Sequence, residues 1–171
     1  MELHLHLPHY WRHHRTDWVA AAVSGLAAGA VLMLVELLWA ALVSGDSPWR
    51  TSHAIAAIAL GSDALQSAGF GLGVVSLALA LHYLLGVAFG LLLGWAIAPF
   101  LADWGDESWS LCALFGTLFG ALLYLLNFYG MAQIFPWFAA LRGAPAFVAH
   151  LIFGASAALI YWKLERRSMD Q

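Results

Sequence analysis

The sequence is short of charge. Only 10% of its 171 residues are Asp, Glu, Lys or Arg, and 63% are hydrophobic. An ordinary soluble domain is about half apolar and a quarter charged. A chain of this size cannot hide so much apolar side chain from water, because most of a small fold is surface. It is also short of cysteine. Cys112 is alone, which excludes an intrachain disulfide and a cysteine-built metal cluster, and its apolar setting reads as packing. No basic tract is present and the net charge is −3, so nucleic acid is not an expected partner. Familiar catalytic templates are missing too: there is no GxSxG, no HExxH and no phosphate loop. Ser24, Ser76, Thr117 and Ser156 fall inside apolar runs with no triad in view, so the reading leans away from an enzyme.

What the sequence has instead is four long apolar runs, roughly Trp18 to Val43, Leu72 to Phe100, Leu111 to Phe135 and Ala144 to Trp162. A bilayer core takes about 20 residues of helix, and backbone groups in lipid must be satisfied internally. The expected fold is therefore all-α: an integral membrane four-helix bundle, with the lipid bilayer as its first partner. The organisation reads as a His/Arg-rich cytoplasmic lead-in over 1–16, a first hairpin over 17–100, a cytoplasmic loop over 101–110, a second hairpin over 111–162 and a cytoplasmic tail over 163–171. The opening MELHLHLPHYWRHHR lacks an apolar core and a small-residue cleavage site, so it does not read as a signal peptide. Its His4, His6, His9, His13 and His14 suit either a metal or, with Arg12 and Arg15, an anionic lipid surface.

Between the first two runs, about 48–68, the pattern His53, Ile55, Ile58, Ala59, Leu60, Asp63, Leu65 predicts a short amphipathic helix lying in the interface. Pro136-Trp137-Phe138 to Arg142-Gly143 reads as a shorter version of that element. Lys and Arg set orientation. Arg12, Arg15, Lys163, Arg166 and Arg167 flank the terminal side, against Arg50 and Arg142 on the other. Both termini are thus expected in the cytoplasm, with the interfacial segments facing out.

An internal repeat is visible. The first run reads Gly25-x3-Gly29-x6-Glu36 and the third Gly116-x3-Gly120-x6-Asn127; the second carries His82-x3-Gly86 and the fourth His150-x3-Gly154. Recurrence in one order predicts two copies of one hairpin, related by an axis along the membrane normal. Residues 25, 29, 33 and 36 share a helix face, as do 116, 120, 124 and 127. Small residues let helices approach closely in lipid, so the polar residues on those stripes should point inward. Glu36, His82, Asn127 and His150 then share one depth in the outer half of the bilayer, beneath Arg50, His53, Trp137 and Arg142.

Several uses of that cluster stay open. An ionisable residue inside a span is a functional-site hypothesis that needs a partner. In the plainest case Glu36 bonds His82 and Asn127 bonds His150, each pair stapling its hairpin. If His82 and His150 face each other across the axis, they could ligate a haem b, with Gly29, Gly86, Gly120 and Gly154 making room for the macrocycle. The analogy is to cytochrome b bundles, which commonly carry two histidine pairs where this chain has one. Two His and the Glu36 carboxylate could instead bind a transition metal. A ligand or proton pathway is the further option, its mouth formed by Arg50, His53, Trp137 and Arg142 beside Trp49; arginines beside aromatics suit an anionic group.

The combination GxxxG-x6-Glu, SPWR, HYLLGVAFG, NFYG, FPWF and AHLIFG resembles an uncharacterised family of small four-span bacterial inner-membrane proteins. Some members carry an automatic sodium:proline symporter label, for which this chain is far too short. The resemblance runs from Trp18 to Tyr161 and implies four spans and a bacterial inner membrane, with no activity or site residues to transfer. The expected function is that of a polytopic inner-membrane protein binding a small ligand, cofactor or proton at the interior cluster. The alternatives are a structural or accessory subunit of a larger membrane complex, such as a respiratory one, and a bis-histidine haem protein. A membrane-protein partner or a homo-oligomer is compatible with each.

Overall fold

The computed structural model describes residues 16–45, 47–67, 69–101 and 108–169. The histidine-rich lead-in and the acidic loop residues 102–107 lie outside them, so the readings made on those segments carry no structural counterpart. Among the described residues the chain is helical, without strands. Four helices are long and apolar enough to cross a membrane: Trp18–Ser44, Leu72–Leu101, Trp109–Gln133 and Ala144–Arg167, with 27, 30, 25 and 24 residues. At about 1.5 Å per residue each exceeds the roughly 30 Å hydrocarbon core. The chain is a multi-pass membrane protein.

Helix α1 covers Trp18–Trp39 and runs on as a π-helical turn, Ala40–Ser44. Its start is defined by Asp17, whose Oδ1 accepts from the Ala20 amide at 2.9 Å, the usual way an N-cap carboxylate satisfies a free helix N–H. Helix α2 is Arg50–Leu60, followed by a 3-10 turn at Ser62–Gln66. With 11 residues α2 is too short to span, and it buries His53, Ala54, Ala56 and Ala57. Helix α3 is Leu72–Leu101. Helix α4, Ser108–Leu125, also passes into a π turn, Leu126–Gly130, and then into 3-10 turns at Met131–Gln133 and Pro136–Leu141. Helix α5 is Ala144–Met169. It continues past Trp162, where the apolar run fades, because nothing there breaks a helix; Arg166 and Arg167 fall in its last turn and favour the negative end of its dipole.

The packing order follows the small residues. Helix α1 packs along α3 and α5, and α4 along α5, whereas α3 and α4 touch sparsely. Within each hairpin two glycines bring the backbones into contact. A methyl group on Gly25 would overlap the Gly86 carbonyl, and one on Gly116 would overlap the Gly154 carbonyl. Where lipid removes the hydrophobic drive between helices, this close approach is what holds them. Toward the end of the bundle that carries the chain termini, the core closes over Ala20, Ala21, Ile97, Ala98, Cys112, Ala157 and a fully buried Tyr161. The Tyr161 hydroxyl accepts from the Asp17 amide at 3.3 Å and ties the start of α1 to α5.

Candidate ligand cavity

At the other end, the α2 end, the helices part around a cavity of about 660 Å³. Gly29, Leu32, Glu36 and Trp39 line it from α1, His82, Gly86 and Phe89 from α3, Leu123, Asn127 and Met131 from α4 and its extension, and His150 and Phe153 from α5. Arg50, Thr51, Ile55 and Ile58 of α2, with Phe138, Leu141 and Arg142, complete the rim. Six of the eight residues singled out in the sequence, Glu36, Arg50, His82, Asn127, Arg142 and His150, therefore border one space. Mostly apolar walls with a few convergent polar groups are the common form of a small-molecule site, and the volume lies in the usual range of a few hundred to about 1,000 Å³.

The hydrogen bonds assign the ring protons. His150 is buried, and its Nδ1 lies 2.8 Å from the Ala146 carbonyl oxygen, one turn back in α5. A carbonyl only accepts, so Nδ1 carries the proton and donates. Nε2 is then an acceptor, and the Asn127 amide donates to it at 3.1 Å. Tyr124, Phe128 and the His150 ring make edge contacts around this pair, with centroids 5.4 to 6.0 Å from the imidazole. His82 behaves differently. Its Nε2 lies 2.8 Å from the Gly29 carbonyl oxygen and donates to it across the α1–α3 crossing; in the neutral imidazole Nδ1 then carries the lone pair. The expected Glu36–His82 bond is therefore replaced. Gly29 has no side chain to shield its carbonyl, and that oxygen takes the proton Glu36 was expected to take. Glu36 makes no hydrogen bond or ion pair among the described residues.

Two rim assignments are corrected. His53 does not face the cavity. It is 4% exposed, with Nδ1 2.7 Å from the Ala64 carbonyl and Nε2 2.9 Å from that of Gly69, so it clasps the segment after α2. Neutral imidazole donates one of these bonds and imidazolium donates both. Trp137 does not line the cavity either; its Nε1 donates to the Ala54 carbonyl at 3.0 Å and joins the two segments at this end. Arg142 does reach the rim. Its Nε donates to the Phe128 carbonyl at 2.7 Å, and its guanidinium lies 4.3 Å from the Tyr129 ring centroid, a cation–π distance.

Comparison with protein-family models, curated proteins and solved structures returns no match for this chain.

The donor set does not fit the haem reading. Both Nε2 atoms are already bonded, one to Gly29 and one to Asn127. The room expected from the glycines is filled by facing backbone: Gly86 by Gly25, Gly154 by Gly116 and Gly120 by the His150 carbonyl. Nor does a metal centre form from Glu36, His82 and His150, since no group of three His, Cys, Asp or Glu among the described residues is placed to hold an ion. Sequence reasoning also missed residues. Ser44, Ser47 and Thr51 line the mouth, and short hydroxyl side chains just past a span could have flagged it. Glu165, 4% exposed near Tyr161, is a buried acid at the terminal end. Its i, i+4 spacing from Tyr161 is the available signal, hidden by the fading of the apolar run at Trp162.

Proposed function

We propose that this is a non-enzymatic bacterial inner-membrane protein that binds a small ligand in the cavity at the α2 end. Both termini lie in the cytoplasm, the α2 and Pro136–Leu141 segments lie in the outer interface, and the bundle is built from two related hairpins. What supports the binding reading is one observation: polar residues far apart in sequence, on all four long helices, border the same apolar-walled cavity. Lipid would otherwise make each an unreturned cost. The hairpin relation is supported by the matching backbone contacts Gly25–Gly86 and Gly116–Gly154, and the orientation by the Lys and Arg asymmetry.

The test is extraction in a mild detergent, native mass spectrometry, and release of bound small molecules by denaturation. The expected result is a retained small molecule that is lost from Val35→Trp, which pushes an indole into the cavity from its α1 wall. Wild-type protein carrying no added mass under any extraction condition would contradict the reading.

A further inference from the structure

The bonding around the cavity leaves an imbalance that points to the chemistry of the ligand. His150 is fully used: Nδ1 donates to Ala146 and Nε2 accepts from Asn127. Once the Asn127 amide nitrogen faces His150, its Oδ1 is left as an acceptor. Once His82 Nε2 donates to Gly29, its Nδ1 is left as an acceptor. The Glu36 carboxylate is a third, and none of the three takes a proton from another group among the described residues. Among Glu36, His82, Asn127 and His150 the acceptors thus outnumber the donors, one amide hydrogen of Asn127 being the spare donor of the four. Acceptors held away from water are costly unless a donor reaches them, and a carboxylate more so unless the donor is charged. A primary ammonium supplies three N–H groups and one positive charge, which matches three acceptors and one negative charge.

The surroundings say where such a group comes from. Arg142 stands at the mouth, and its guanidinium, whose bond goes to the Phe128 carbonyl, opposes the approach of a small soluble cation. Between α3 and α4 the wall is different. These helices touch sparsely, with a ring contact between Phe100 and Phe115 at the terminal end, while Leu85, Phe89, Leu123 and Leu126 line the cavity from the two sides. Leu85 and Leu126 on that side are exposed, as a lipid-facing wall requires.

Resting on the binding reading above, we infer that the cavity accommodates a membrane-dissolved amphiphile headed by a primary amine. The ammonium is received by Glu36, His82 Nδ1 and Asn127 Oδ1, and the apolar body lies along the α3–α4 side.

The test uses full-length protein in nanodiscs of phosphatidylcholine and phosphatidylglycerol, which carry no primary amine. The probes are decylamine, decanol, methyl decyl ether and butylamine, and binding is read by native mass spectrometry and by the shift in unfolding temperature. Decylamine is expected to bind most tightly, then decanol, then the ether, with butylamine weakest. Glu36→Gln should weaken decylamine by at least roughly tenfold and decanol by much less, as loss of a charge-assisted hydrogen bond requires. Glu36 holds no other group, so that variant should fold; Glu36→Asp, which keeps the charge, should retain the preference for amine over ether. Ether binding as tightly as decylamine overturns the amine inference and leaves the cavity reading standing. Butylamine matching decylamine overturns the membrane source. If no probe binds, both the inference and the binding reading fall.

Discussion

The two hairpins share a crossing and differ in what they do with their polar residues. In α1–α3 and in α4–α5 the helices meet backbone to backbone at paired glycines. Just beyond that crossing, the second hairpin closes its polar residues on each other, Asn127 onto His150 and His150 onto Ala146. The first hairpin does not. His82 turns to the Gly29 carbonyl, and Glu36 stays out of the network. An amide can donate to a neutral imidazole, whereas a carboxylate asks for a proton or a charge that His82 has already spent on Gly29. The second hairpin therefore pairs its polar side chains with each other, the first bonds its histidine to backbone and leaves Glu36 outside the network, and the cavity lies between them.

The largest effect that probes this comparison should come from the shared crossing. Gly154→Val places side chain into the Gly116 backbone, and Gly25→Val does the same to Gly86. Each is expected to cost about 3 kcal/mol or more, at or beyond the usual overpacking range, measured as lost monodisperse yield and a lowered unfolding temperature in detergent. A tolerant Gly25→Val beside an intolerant Gly154→Val would show that the two glycine crossings are not alike.

Next in size is the staple. His150→Phe strands the Asn127 amide and should destabilise by about 1 to 2 kcal/mol. Steric unfolding or thermal melting would register it. A smaller loss, about 1 kcal/mol, is expected for Trp137→Phe, which removes the bond to Ala54 while keeping an aromatic ring. The smallest effect should be at the open site: Glu36→Gln should move stability by less than about 0.5 kcal/mol, since it breaks no bond. A large loss there would mean that Glu36 staples its hairpin after all.

How much of this was readable in advance differs along the chain. The spans were, because lipid imposes a length and an apolarity that the runs display directly. Glu36, His82, Asn127 and His150 border one cavity; each sits on a small-residue stripe, and such stripes face other helices. The partner of His82 was not readable. Pairing by side-chain type favours Glu36, but a glycine one turn or two away exposes a main-chain oxygen that competes for the same proton, and spacing alone does not rank the two. His53 and Trp137 misled for a related reason. Polar aromatics near a span end read as cavity-facing or lipid-facing, and here they bond carbonyls of the short segments at the α2 end. The end of α5 was obscured by composition: Lys163, Glu165 and Arg166 look like a tail, yet they continue the helix and bury Glu165.

The central claim is that Glu36 opens into a space walled also by the second hairpin. Dicyclohexylcarbodiimide, an apolar reagent for membrane-embedded carboxyl groups, tests it when modification of Glu36 is mapped by mass spectrometry. The account predicts that Glu36 reacts in the wild type and is protected in Leu126→Trp, whose indole crosses the cavity from the α4 extension. Equal labelling of Glu36 in both proteins would contradict it, because the carboxyl group would then face lipid and not the cavity.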